Sequence, residues 1–275
     1  MKYSVCYRKD FKYHNEIDEY YIFYKPNFEA LERFVLGMKE EGKTVVIKMN
    51  KERMDSFIEN KEILELSEIT PNFKIELDWI NEEVMKQLKK MNIPYFLSIP
   101  AYDRDSLISM MNMGVSEIII CGTLGFDLKR VSEYTKEKGI KLRAIPDICQ
   151  ASWYVNDDFP SYQLFFIRPE DVPVYEEYID TLSFSHDTQE ELYYKIYAKD
   201  KKWFGDLSEI ITGLPENVYK NQSIIPIFGE KRANCNKKCQ YGEGCHICSS
   251  ITNLANNMIE NNLIVKYWFF IKFLI

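Results

Sequence analysis

Residues 28–49, FEALERFVLGMKEEGKTVVIKM, contain the pattern that decides the fold. In residues 28–42 the apolar side chains recur three or four positions apart, which is the spacing of one face of a helix. Residues 44–49, TVVIKM, form a short β-branched run of the kind typical of a buried strand. Gly42 lies between the two patterns, where a helix commonly ends in a left-handed residue. The stretch therefore predicts a helix followed closely by a strand.

The same alternation of strand and helix repeats from Tyr20 to about Trp203. The apolar runs are nearly continuous, which indicates a parallel sheet buried on both faces. Eight such units fit an α/β fold, a (β/α)8 TIM-like barrel that is either complete or incomplete. The N-terminal MKYSVCY is expected to add an extra strand or to cap the barrel bottom. The predicted strands are 20–24, 44–49, 73–77, 95–100, 117–122, 141–146, 162–169 and 181–185.

The regular alternation stops after about residue 204, which predicts two regions. Residues 1–204 are expected to form the barrel, and residues 205–275 a Cys-rich C-terminal extension. The extension ends in the apolar segment LIVKYWFFIKFLI, residues 263–275. This segment is shorter than the roughly 20 apolar residues that span a bilayer. We expect it to pack on the barrel or on a partner.

Composition limits the function classes. The chain has 275 residues, 46% hydrophobic content and a formal net charge of −7. Clustered Lys and Arg are what binds phosphate backbones, so the charge argues against broad electrostatic binding to nucleic acid. A small molecule or a locally recognised RNA stays open as a partner. The N-terminus shows no signal peptide, so the sequence predicts a cytoplasmic, reducing location.

Four cysteines lie close together in NCNKKCQYGEGCHICS, residues 234–249. Cys235, Cys239, Cys245 and Cys248 have the spacing C-x3-C-x5-C-x2-C. Four thiolates so close in sequence can bind one zinc ion or one iron–sulfur cluster, and the spacing alone favours zinc. The alternative is two disulfides or four free thiols, which a reducing compartment disfavours.

Catalytic side chains of a TIM barrel lie in the loops that follow the strands. On this rule Asp78, Asp147 and Arg168 are the candidate catalytic residues, and Cys149 is the candidate cofactor ligand. Asp103 also follows a predicted strand, but it is equally suited to cap the helix that begins at RDS. Asp147 and Cys149 have no strong helix to cap, which favours a chemical role.

Three segments resemble parts of the collagenase-like peptidase family. They are KLRAIPDICQASW (141–153), FFIRPEDVPVYEEY (165–178) and IDTLSFS (179–185), and the resemblance extends over about 117–200. It implies a decorated or incomplete barrel, an iron–sulfur cluster held by several cysteines, and oxygen-independent hydroxylation of RNA or of quinone precursors. Cys149 falls where that family has a cluster cysteine. The family's Glu-Gly-Arg segment after strand eight is SFSHD here, and the other cysteines lie together at 235–248.

Three functions follow from these patterns. The first is a metal-containing barrel enzyme, with an iron–sulfur-dependent modification of the hydroxylation type. The second is a barrel scaffold or interaction protein with a structural zinc site. The third is a metal-independent lyase or hydrolase that uses Asp78, Asp147 and Lys25.

Overall fold

The computed structural model describes residues 1–7, 14–24, 27–101, 103–120, 128–145, 167, 169–184 and 197–199. The strands are β1 Lys2–Cys6, β2 Glu19–Phe23, β3 Thr44–Met49, β4 Phe73–Leu77, β5 Tyr95–Leu97, β6 Glu117–Ile120, β7 Lys141–Ala144 and β8 Thr181–Ser183. The helices are α1 Phe28–Glu40, α2 Lys51–Glu59, α3 Glu62–Ile69, α4 Glu82–Lys90, α5 Arg104–Asn112, α6 Leu128–Glu137 and α7 Val172–Tyr175, with a 3₁₀ turn at Pro169–Asp171.

The eight strands form one parallel sheet in the order β5-β4-β3-β2-β1-β8-β7-β6. The two end strands meet through a bridge between Ala101 and Ile120 and a hydrogen bond from the Ser116 N–H to the Tyr95 carbonyl, 2.8 Å long. The sheet is therefore a nearly closed barrel with helices between its strands, which confirms the predicted TIM-like fold. All eight strands belong to one of two compact units of the chain, the unit comprising Met1–Ile120, Tyr134–Ala144 and Ile179–His186.

The N-terminal strand β1 is a full member of the barrel. It pairs with β2 on one side and with β8 on the other. Strands β7 and β8 pair directly, with Arg143 opposite Thr181. The prediction that a strand at 162–169 lies between them is therefore wrong. Pro169 begins a 3₁₀ turn, which it suits because it lacks an N–H for strand pairing; residues 162–166 and 168 lie outside the described part.

The two faces of the barrel wall differ in chemistry. In β4, FKIEL, the apolar Phe73, Ile75 and Leu77 are fully buried, while Lys74 and Glu76 contact side chains of other strands. Successive side chains of a strand point to opposite faces, so the apolar set packs toward the helices and the polar set faces the barrel interior. The expectation of a sheet buried on both faces therefore holds at Glu19, Glu117 and Arg143, although the buried interior side chains there are charged.

The helices follow local sequence signals. Asn27, Asn50 and Asn81 accept hydrogen bonds from the first-turn N–H groups of α1, α2 and α4. Gly42 after α1 has a φ of +67°, which confirms the predicted left-handed residue. Residues 51–69 form two helices, α2 and α3, because Lys61 between them is left-handed with a φ of 61° and breaks the hydrogen-bond ladder.

The described residues of the second unit include the turn Pro169–Asp171 and helix α7. Within this unit the Tyr197 hydroxyl donates to the Ile167 carbonyl at 3.0 Å. Across the described ranges, helices of membrane-spanning length and apolarity are absent. The predicted boundary at residue 204 lies outside the described part.

Candidate functional site

Four charged side chains cross the interior of the barrel. Arg143 of β7 donates from Nη2 to Glu19 of β2 at 2.6 Å and to Glu117 of β6 at 2.7 Å. Lys74 of β4 donates to the same two carboxylates. Because β2 and β6 are four places apart in the sheet order, these contacts span the interior rather than follow the wall. We call Glu19, Lys74, Glu117 and Arg143 the buried network.

The buried network is electrically balanced, since two carboxylates face two cations. Burial alone would raise the pKa of Glu19, but the charges of Arg143 and Lys74 lower it to about 2. The pKa of Glu117 is also lowered: burial opposes the shift, and the same two cations produce it. Burial acts against the charge of Arg143 too, yet the two carboxylates raise its pKa above the ordinary value. Glu19, Glu117 and Arg143 are therefore charged at neutral pH.

The location of the buried network indicates a structural role. Glu19 and Glu117 are the first residues of β2 and β6, so the network lies toward the N-terminal end of the barrel. The Arg143 guanidinium also lies 4.6 Å from the centroid of the Phe96 ring, a cation–π distance. The N-terminal end of a TIM barrel contributes stability, whereas chemistry takes place at the C-terminal end.

A second polar group lies at the C-terminal end. Lys48 of β3 and Glu76 of β4 form an ion pair, with Nζ 2.9 Å from Oε1. Ser98, which directly follows β5, donates from its hydroxyl to the same Oε1 at 2.6 Å. We call Lys48, Glu76 and Ser98 the mouth cluster. Phe23, the last residue of β2, is 39% exposed, and its ring centroid lies 5.6 Å from the Lys48 Nζ.

The mouth cluster combines a base with a cation. Glu76 Oε1 accepts a hydrogen bond from the Ser98 hydroxyl and pairs with the Lys48 ammonium, and a carboxylate has further lone pairs on its second oxygen. Lys48 is a three-donor cation, and its side chain is 29% exposed, against 13% for Glu76. A carboxylate can accept a proton from a bound molecule, and an adjacent ammonium can stabilise the negative oxygen that results.

The predicted site residues have mixed outcomes. Asp78 lies just beyond β4 and is exposed, two residues after Glu76. Asp147, Cys149, Arg168 and Lys25 lie outside the described residues. Cys235, Cys239, Cys245 and Cys248 lie outside them as well, and in the described ranges no three potential metal-ligating side chains come together.

Asp103 is a helix cap. Its carboxylate accepts a hydrogen bond from the Ser106 N–H at 2.8 Å, and the Ser106 hydroxyl lies 3.0 Å from the Asp103 N–H. This reciprocal arrangement is a capping box, which confirms the capping interpretation. The hydrogen bonds from Ser106 lower the pKa of Asp103.

The mouth cluster was absent from the sequence prediction, although a signal for it exists. Lys48, Glu76 and Ser98 lie within predicted strands rather than in the loops after them. In TVVIKM and FKIEL the polar residues recur at every second position near the strand end, the period of one strand face. A search for polar residues on the interior face of the last strand positions would have found this cluster.

Comparisons with known proteins give weak structural similarities. No protein-family model and no curated protein sequence matches the chain. A conserved protein of unknown function from Enterococcus faecalis is 12% identical, with a TM-score of 0.41 over 67% of this chain and 61% of that one. A U32 peptidase is 11% identical, with a TM-score of 0.42 over 66% and 91%. An aldolase for 4-hydroxy-2-oxoglutarate and a related phosphogluconate is 12% identical, with a TM-score of 0.38 over 67% and 80%. No functional conclusion follows from similarities at this level.

Proposed function

We propose that the chain is a barrel enzyme whose mouth cluster moves a proton on a small carbonyl-containing substrate, without a metal in that step. The observation that carries the proposal is the shared Glu76 Oε1, which lies 2.9 Å from the Lys48 Nζ and 2.6 Å from the Ser98 Oγ at the C-terminal end of the barrel. This is the lyase or hydrolase class predicted from sequence, with Lys48 and Glu76 in place of Lys25 and Asp147.

Each residue has a distinct role in this proposal. Glu76 is the general base that removes a proton from the carbon next to the carbonyl. Lys48 donates a hydrogen bond to the carbonyl oxygen, which becomes negative as the proton leaves. Ser98 positions Glu76 by its hydrogen bond to Oε1. Phe23 supplies an apolar wall beside the reacting group.

Proton exchange tests the proposal without knowledge of the natural substrate. A panel of 2-oxo acids and hydroxyketones, beginning with pyruvate and dihydroxyacetone, is incubated with the full chain in D₂O. Deuterium incorporation next to the carbonyl is followed by proton NMR. We expect at least one compound to exchange faster than in buffer, and Glu76→Gln and Lys48→Met each to remove most of that acceleration.

The matched controls are Glu82→Gln and Lys86→Met. Glu82 and Lys86 form an exposed pair on α4 with the same charges, 3.9 Å apart, and these variants should exchange like the wild type. Acceleration that survives Glu76→Gln, or no acceleration with any compound, would contradict the proposal.

We also propose, from the cysteine spacing alone, that Cys235, Cys239, Cys245 and Cys248 bind one metal centre. Zinc would make it a structural site, and the chain's other role would then be that of a scaffold or interaction protein. An iron–sulfur cluster, with Cys149 as a further candidate ligand and Asp78, Asp147 and Arg168 near it, would support the modification chemistry of the collagenase-like peptidase family.

Anaerobic purification distinguishes these alternatives. Brown protein with a broad band near 400 nm and stoichiometric iron and sulfide supports the cluster. Colourless protein with one zinc per chain supports the structural site. Protein with neither metal would contradict the proposed centre.

A further inference from the structure

The hydroxyls of Ser4 and Thr181 have no hydrogen-bond partner among the described residues. Ser4 of β1 has 0% of its surface exposed, and Thr181 of β8 has 1%. A buried hydroxyl without a partner costs free energy of about 1–3 kcal/mol. Two such groups on the neighbouring strands β1 and β8 therefore require an explanation.

Both hydroxyls lie beside the buried network. Ser4 is paired in register with Glu19 on one side and with Ser183 on the other. Thr181 is paired with Arg143. Residues paired in register on neighbouring strands have side chains on the same face of the sheet. Because Glu19 and Arg143 are on the interior face, the hydroxyls of Ser4 and Thr181 are on it too.

The cations of the network also retain unused donors. A guanidinium has five N–H groups, and the Arg143 contacts are one from Nε, two from Nη2 and one from Nη1, which reaches Ser183. One Nη1 donor is left over. Lys74 has three donors, of which two reach Glu19 and Glu117. Among the described residues, the groups of this region without a partner are thus two hydroxyls, which both donate and accept, and two N–H donors.

We infer that at least one ordered water molecule is bound inside the barrel at Ser4 and Thr181 and completes the hydrogen bonds of the buried network. The charge of the network excludes an ion as the occupant. Two carboxylates already balance two cations, so an added anion or cation would be an uncompensated buried charge. A neutral molecule that donates and accepts fits these groups. Internal waters in proteins make about three hydrogen bonds to buried polar groups of this kind.

The sign of a stability change tests the inference. Thr181→Val keeps the shape of the side chain and removes the hydroxyl. If a water is bound, the variant strands that water's other partners, and the melting temperature should fall by roughly 2–4 °C. If no water is bound, the variant removes an unsatisfied buried hydroxyl, and the melting temperature should stay the same or rise.

Two further variants separate hydrogen bonding from packing. Thr181→Ser keeps the hydroxyl and removes a methyl group, so its melting temperature should fall less than that of Thr181→Val. The melting temperature of Ser4→Ala should fall as that of Thr181→Val does, because both variants lose a hydroxyl. Equal losses in Thr181→Ser and Thr181→Val would show that a small packing change at residue 181 lowers the melting temperature as much as removal of the hydroxyl, and would overturn the inference.

Direct detection uses water itself as the probe. In the full chain, nuclear Overhauser effects from long-lived water to the Thr181 methyl group should be present in the wild type. They should be lost or weakened in Ser4→Ala. Their absence in the wild type, together with an unchanged or raised melting temperature of Thr181→Val, would refute the site.

Discussion

Lys74 and Glu76 are two positions apart on the interior face of β4 and belong to two different polar groups. Lys74 joins Glu19 and Glu117 in the buried network, while Glu76 binds Lys48 and Ser98 at the mouth. Two residues of a strand span about 6.6 Å, so the network that supports the barrel lies directly below the proposed catalytic groups. One strand thus contributes to both the buried network and the proposed catalytic cluster.

Loss of Arg143 should strongly destabilise the barrel. In Arg143→Met, Glu19 and Glu117 keep only Lys74 as a counter-charge and leave one buried negative charge unpaired. We expect the free energy of unfolding to fall by about 3–5 kcal/mol, measured by urea denaturation. The exposed Lys86→Met should change it by a few tenths of a kcal/mol at most. A loss in Arg143→Met as small as that of Lys86→Met would show that the network contributes little.

The stability of the barrel should depend on acidic pH. The folded-state pKa values of Glu19 and Glu117 are lowered, that of Glu19 to about 2 from a reference of 4.5. Between the folded-state and reference pKa values, the folded state therefore binds fewer protons than the unfolded state. The stabilisation is complete above about pH 5 and is lost as the pH falls toward 2, with a slope of at most about 1.4 kcal/mol per pH unit for each group.

Urea denaturation at pH 7, 5, 4 and 3 measures this dependence. Glu117→Gln is less stable at pH 7 and should lose less of its remaining stability between pH 5 and 3, because one of the two groups no longer titrates. An equal slope in the wild type and in Glu117→Gln would assign the acid sensitivity to other carboxylates.

The mouth pair should contribute little to stability. Lys48 and Glu76 are partly exposed, and ion pairs near the surface contribute about 0–1 kcal/mol. The free energy of unfolding of Glu76→Gln should therefore lie within about 1 kcal/mol of the wild-type value, while the variant loses proton exchange. A large loss of stability in this variant would mean that the pair is structural and that the loss of exchange reflects unfolding.

The proposed metal centre should depend on the clustered cysteines and not on Cys6. Cys239→Ser should lose most of the bound metal, measured by mass spectrometry of the anaerobically purified protein, because a tetrahedral site lacks one thiolate. Cys6→Ser is the control, because Cys6 is buried in β1 and lies far in sequence from the four clustered cysteines. Full metal content in Cys239→Ser would exclude Cys239 as a ligand.

The sequence alone was sufficient for the fold class and for much of the local structure. The β-branched runs at 44–49 and 73–77 are strands with the predicted bounds. The glycine at 42 and the capping box at Asp103 also follow the sequence prediction. These features depend on residues close in the chain, where backbone preferences and side chain-to-backbone hydrogen bonds act.

Only the tertiary structure decided which polar residues meet. Glu19 and Arg143 are 124 residues apart, and their contact depends on closure of the barrel around both. The same closure pairs β7 with β8 and places β1 between β8 and β2. It also brings Lys48 and Ser98 to the same carboxylate oxygen of Glu76. Local sequence indicates that a strand has polar residues on its interior face. The partner of each charge is decided by the order and register of strands far apart in the chain, because only closure of the barrel brings those side chains opposite one another.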